Sequence, residues 1–246
     1  MRPIRLFTDV PLSPGRDVNL PASAAAHALR VLRLRPGDRV TLFNGDGREY
    51  GARLVAADAR HACVAVEASA APHRESPLRV TLLQALARGD KMDWIVQKAV
   101  ELGVARIAPV TTERSEVKLT AARSAKRAEH WRGIVIAACE QCGRNSVPDI
   151  DAVASLPAWL RANANLAPAQ RWMLHPDGTT QLRAARIDPV QPMLLAIGPE
   201  GGFGPADVAA LQAAGFHAAM LGPRILRTET AGTAALAALQ AAYGDF

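Results

Sequence analysis

The chain has 246 residues, a length that fits one or two domains with a sizeable core. Apolar residues make up 49% and charged residues 21%, which excludes a disordered or collagen-like chain. Twenty-nine basic against twenty-three acidic residues give a net charge of +6, and a polyanion is the first partner to expect. Twenty-five of the basic residues are arginine, the side chain best suited to phosphate forks and base stacking. Aromatic residues are only 4%, so the core is aliphatic and alanine-rich. No stretch reaches the roughly 18 apolar residues of a membrane span; residues 231–243 come nearest and are broken by Gly232, Thr233 and Gln240. Arg2, Arg5 and Asp9 leave no secretory apolar core at the start, so a soluble cytoplasmic protein is expected.

Residues 2–7 read as a strand, and residues 23–34 as a helix through Ala26, Leu29 and Leu34. Pro36-Gly37-Asp38 marks a turn into a strand over 39–43. Asn44-Gly45-Asp46-Gly47 then signals a hairpin into a strand over 49–55, with another strand at 62–68. Short strands at this spacing suggest a small barrel. Residues 69–77 hold two prolines and no apolar period, which places a domain boundary there: a small domain over 1–72 and a larger one over 73–246. Beyond it, strands and helices alternate. A strand over 79–85 precedes a helix that starts at an N-cap Asp90, with Asp93 at its third position, and ends at Gly103. A strand over 106–110 leads to a long helix over 121–142, whose Trp131, Ile134, Val135, Ala138 and Cys142 share a face and which Gly143 stops. Strands at 172–175, 193–197 and 218–221, with helices at 205–214 and from about 230, complete a parallel α/β sheet.

Cys139 and Cys142 have the C-x-x-C spacing of a zinc or redox pair. No second ligand pair stands at a metal-like spacing, and the pair falls at the end of a helix rather than its start. Buried thiols and no metal are expected.

Two loops stand out. Ile197-Gly-Pro-Glu-Gly-Gly-Phe203 follows an apolar strand, and its three glycines let backbone approach a ligand closely. It is neither G-x-G-x-x-G nor a Walker loop, which argues against a nucleoside triphosphate; the plain alternative is a tight strand-to-helix turn. The second loop is Leu221-Gly-Pro-Arg-Ile-Leu-Arg-Thr-Glu-Thr-Ala231. Leu221, Ile225 and Leu226 suit an apolar slot with Arg224, Arg227 and Glu229 at its mouth, while Thr228 reads as an N-cap. Both loops leave the carboxyl edge of one sheet, where open α/β folds bind ligands.

Those two loops closely resemble the C-terminal motifs of the SPOUT methyltransferases, nearest to the RsmE family of 16S ribosomal RNA uracil-N3 methyltransferases. Gly89-Asp-Lys-Met-Asp-Trp94, Lys98-Ala-Val-Glu-Leu-Gly103, Thr112-Glu-Arg-Ser115 and Glu140-Gln-Cys-Gly-Arg-Asn145 match as well. His27-Ala-Leu-Arg-Val-Leu-Arg33 and Pro36-Gly-Asp38 look like the family's PUA-like RNA-binding domain. Residues 152–170 and 178–190 carry no match and are expected to be variable surface. The resemblance implies an α/β fold: a knotted (trefoil) SPOUT parallel-sheet domain preceded by a small PUA-like β-barrel domain, in a homodimer that methylates 16S ribosomal RNA or the small subunit. It implies S-adenosylmethionine as cofactor, held by Leu174, Ile197, Gly198, Pro199, Gly201, Gly202, Leu221, Gly222, Ile225, Leu226, Arg227, Thr230 and Ala231. A different base or ribose target within the same enzyme class, or an RNA-binding protein without activity, are the competing readings.

Uracil N3 is a poor nucleophile until its proton leaves, and the resulting anion spreads charge onto O2 and O4. Arg227, ahead of Arg224, suits that charge. Glu200 or Glu229 suits the proton, each with loop bracing as its plainer role. For RNA, Arg30, Arg33, Arg35 and Arg39 cluster within ten residues, Arg30 and Arg33 sharing a helix face by spacing. Arg88, Lys91, Arg114 and Arg144, near the motif loops, would extend the track toward the catalytic loops.

Overall fold

The structure, a computed structural model, describes residues 4–58, 60–116, 121–165 and 169–246. Arg2 and Pro3, expected in the first strand, lie outside these, as do residues 166–168. The chain forms two compact units: Met1–Glu75 with Ile136–Val147, and Ser76–Val135 with Pro148–Phe246. A boundary at residue 72 therefore leaves out the later segment that completes the first unit.

In the first unit, β1 (Arg5–Phe7), β2 (Asp17–Asn19), β3 (Arg39–Phe43), β4 (Glu49–Ala57) and β5 (Ala62–Ala70) pair in the order β1-β3-β4-β5-β2. Only β1 and β3 run parallel. Alternation sends Val40, Leu42, Ala52, Leu54, Val64 and Val66 into one core. The helix expected over 23–34 is shorter. α1 (Ala22–Ala26) gives way to a π-turn over His27–Val31, and Arg33 lies past its end with φ +55. Arg30 and Arg33 therefore share no helix face.

The segment Ile136–Val147 is fastened to this unit by charge. Arg5, only 8% exposed, donates to Glu49 Oε2 at 3.0 Å, to the Arg144 carbonyl at 3.0 Å and to Asn145 Oδ1 at 2.6 Å. The Arg144 guanidinium holds Glu75 Oε2 at 2.9 and 2.5 Å. Glu140 accepts the Phe7 N–H at 2.9 Å, and burial pushes its carboxyl up against that bond. Burial pushes the Cys139 thiol up to about 12, so it is an inert core group as expected.

The second unit alternates β6 (Val80–Ala85), α2 (Lys91–Glu101), β7 (Arg106–Thr111), α3 (Ala121–Cys142), β8 (Asp149–Ile150), β9 (Ala154–Ser155), α4 (Leu156–Ala162), β10 (Gln170–Leu174), β11 (Thr180–Gln181), β12 (Met193–Ile197), α5 (Pro205–Ala213), β13 (His217–Met220) and α6 (Thr228–Tyr243). All its pairs are parallel, in the order β11-β13-β10-β12-β6-β7-β8, with β9 also on β7. β12 is buried along its whole length, which explains its unbroken apolar run.

α2 buries Met92, Ile95, Val96, Ala99 and Val100, the spacing of one helical face. It ends in a Schellman turn: Gly103, at φ +76, donates to Val100 and Val104 to Ala99. Asp90 stands at its N-cap but its side chain makes no cap bond. Asp93 instead reaches α3, accepting from Trp131 Nε1 at 2.9 Å and lying 2.7 Å from His130 Nε2. The expected variable stretch at 152–170 contains α4, whose Leu156 and Trp159 are buried in the main core. Those positions are core rather than surface, as are Leu182 and Ala185 in the stretch 178–190.

Candidate active site

Three neighbouring strands, β13, β10 and β12, end side by side, and the loops after them enclose a cavity of about 600 Å³. Leu174, Ile197, Gly198, Pro199, Gly201, Gly202, Leu221, Gly222, Ile225, Leu226, Arg227 and Ala231 all line it. Thr230 does not; it is exposed, and its N–H caps the Arg227 carbonyl at 2.9 Å. The third wall, His175, Pro176 and Asp177, went unnoticed in the sequence because nothing local reveals that β10 lies between the other two strands. The Asp177 N–H donates to His175 Nδ1 at 3.2 Å, which fixes that ring nitrogen as an acceptor.

The glycine loop is tight for different reasons at each glycine. A Cβ on Gly198 would stand 3.0 Å from the Phe203 nitrogen and 3.1 Å from the Gly202 carbonyl carbon. Gly201 faces Arg114 Cβ at 3.4 Å, while Gly202 has open space but φ +70, a left-handed backbone that disfavours side chains. Three cationic residues expected on RNA contact this loop. Arg114 Nη1 donates to the Gly201 carbonyl at 2.9 Å, the Arg88 N–H to Glu200 Oε1 at 3.1 Å, and Lys91 Nζ to the same oxygen at 3.0 Å. The Arg88 guanidinium pairs with Glu116. Arg144, the fourth, is buried in the first unit, where its guanidinium is paired with Glu75.

The two glutamates differ. Burial raises the Glu200 carboxyl, but the Arg88 and Glu200 N–H groups and the Lys91 ammonium outweigh it and hold it below the usual carboxylate range. It is an engaged anion. Glu229 lies beside Lys91, with Oε2 3.5 Å from Nζ, and that oxygen is buried without a hydrogen bond. Among the described residues Arg224 and Arg227 find no carboxylate, and both are exposed at the cavity mouth. Thr228, expected to cap α6, is its first helical residue; Arg227 occupies the cap, and the Thr228 hydroxyl crosses to the Gly198 carbonyl at 2.6 Å.

A parallel sheet with a glycine-lined cavity at its carboxyl edge, in a chain that also forms a small β-rich unit, has the makings of an RNA methyltransferase with a PUA domain. The RNA methyltransferase domain family matches residues 74–240, and the RNA methyltransferase PUA domain family matches residues 20–67. The ribosomal RNA small subunit methyltransferase E of Bacillus subtilis is 32% identical over 222 residues, covering 87% of this chain and 85% of that protein. Its counterpart from Buchnera aphidicola of Schizaphis graminum is 30% identical over 241 residues, covering 98% and 97%. The chain belongs to the ribosomal RNA small subunit methyltransferase E family. Among solved structures, a methyltransferase from Legionella pneumophila in complex with bound SAM superposes with TM-score 0.95 at 38% identity over the whole of both chains. A family member from Neisseria gonorrhoeae bound to S-adenosyl methionine superposes with TM-score 0.91 at 39% identity, also over both whole chains.

Proposed function

We propose that this chain transfers a methyl group from S-adenosylmethionine to N3 of a uridine in 16S ribosomal RNA. The observation that carries the reading is the cavity itself. Apolar side chains (Leu174, Ile197, Leu221, Leu226) line it together with a glycine backbone, which suits a ligand with a flat adenine and a polar tail. When bound, the cofactor supplies a methyl group on a sulfonium centre, an electrophile that needs no metal. The chain's own residues align the two reactants and manage charge. Arg227, with Arg224 behind it, offsets the negative charge that grows on the uracil oxygens once N3 loses its proton. Glu229 takes that proton: it stands just behind the cavity lining, and its Oε2 faces Lys91 at 3.5 Å without accepting a hydrogen bond, whereas Glu200, which lines the cavity, already accepts two. The exposed Arg30, Arg33, Arg35 and Arg39 of the first unit bind RNA phosphates.

The same reading takes in the trefoil crossing of the two loops, a second copy completing each site, the small subunit or its RNA as substrate, and work in the cytoplasm. Among the described residues no helix is long and apolar enough to cross a membrane. The test is incubation with labelled S-adenosylmethionine and either assembled small subunits or naked 16S RNA, followed by nucleoside analysis. 3-Methyluridine is the expected product. A ribose-methylated nucleoside or another modified base overturns the target assignment, and no transfer to either substrate overturns the activity.

A further inference from the structure

We infer that Gln84 is a positioning residue for the cofactor cavity: through the Thr228 hydroxyl it fixes the Gly198 carbonyl and so holds the glycine loop to the loop that follows β13. The inference rests on the cofactor reading above. Gln84 is fully buried near the end of β6, paired in register with Ile197, the last residue of β12. It does not line the cavity, and none of the sequence motifs singled it out.

The chemistry of this chain of contacts has a direction. Gln84 Nε2 has two hydrogens, and it donates to the Ala85 carbonyl at 2.9 Å and to Thr228 Oγ1 at 3.0 Å. The reverse amide orientation would set its oxygen against the Ala85 carbonyl, two acceptors in contact, so the orientation is chemically determined. With a donor already aimed at its oxygen, the Thr228 hydroxyl has its one proton free for the Gly198 carbonyl, 2.6 Å away. The peptide after Gly198 belongs to Pro199 and has no N–H, so this carbonyl is the only polar group by which that plane can be held. One amide thus decides which way the loop's first peptide faces.

Gln84 is also an expensive residue for this place. Its Oε1 is buried and accepts no hydrogen bond, a defect that an apolar side chain of similar volume would not carry. α6 comes close enough that a Cβ on Gly232 would stand 3.4 Å from that oxygen and 3.6 Å from Ile197 Cγ1. Helix, strand end and loop therefore meet at one amide.

The experiment is calorimetric titration of the purified full chain with S-adenosylmethionine, with thermal melting alongside. Thr228→Val, which keeps the shape but loses the hydroxyl, should bind at least tenfold more weakly, and Thr228→Ser should restore most of that loss. Gln84→Glu presents an acceptor to Thr228 at neutral pH, draws the hydroxyl proton away from Gly198 and weakens binding. As pH falls and the carboxyl regains a proton to donate, its affinity relative to wild type should recover. Wild-type affinity in Thr228→Val overturns the relay, as does a Gln84→Glu deficit that is the same at every pH; the latter decides if Thr228→Val fails to fold. A wild-type protein that binds no S-adenosylmethionine overturns the cofactor reading itself, and the relay's role with it.

Discussion

Lys91 Nζ and Glu200 Oε1 are 3.0 Å apart at the rim of the cavity, and each changes the other's chemistry. The hydrogen bond it donates to Glu200 raises the Lys91 ammonium above its usual value, while Lys91 helps hold Glu200 below its own. The pair is a fixed strut across the glycine loop, with Glu229 on the lysine's other side.

The pH dependence of that strut has a definite sign. A carboxyl lowered on folding contributes fully above its unfolded value, near pH ~4.3, and loses the contribution only as pH falls through the lower folded value. S-adenosylmethionine affinity should therefore be level from about pH 8 to about pH 5 and drop below about pH 4.3. Glu200→Gln, having no carboxylate to lose, should start weaker and show no such drop. Titration calorimetry across pH distinguishes the two curves, and parallel curves would remove Glu200 from the strut.

Glycine substitutions should separate crowding from backbone strain. Gly198→Ala forces a Cβ to 3.0 Å from backbone of its own loop, so it should weaken cofactor binding tenfold or more. At Gly202 a Cβ meets no protein atom within 4 Å, so Gly202→Ala tests the backbone alone: it must hold φ +70, which costs about 1–2 kcal/mol. A melting series with binding constants checks this. Equal tolerance of Gly198→Ala and wild type would show that the loop opens to make room.

The arginines divide by burial. Arg30→Ala with Arg33→Ala should flatten the salt dependence of RNA binding, each lost phosphate contact removing roughly 0.7–0.9 from the logarithmic slope. Arg144→Ala should leave that slope unchanged and instead lower the melting temperature, because it strips the partner from Glu75. Filter binding over a salt series, read beside the melting curves, tests the division; a changed slope in Arg144→Ala would return that residue to the RNA track.

Local patterns carried much of the fold into view. β12 announced itself as an unbroken apolar run, and the glycines after it marked the loop that lines the cavity. Gly103 and Gly143 stopped their helices where expected, both at positive φ. What stayed hidden depends on strand order or distant pairing. His175 and Gln84 matter because β10 lies between β13 and β12, and because β6 lies next to β12. Arg5 and Asn145 meet across 140 positions, a contact with no local signature, so Arg144 looked free when it was not. α4 is only seven residues long, too short for its buried Leu156 and Trp159 to show a helical period.

The segment Ile136–Val147 sets a timetable for the chain's birth. The first unit needs Glu140, Arg144 and Asn145 to satisfy Phe7, Glu75 and Arg5, yet these leave the ribosome about seventy residues after Glu75. At roughly 5–20 residues per second, the amino-terminal sheet waits on the order of 4–14 s for its missing piece. Throughout that interval Arg5 lacks its Asn145 partner and the Phe7 N–H lacks the Glu140 carboxylate.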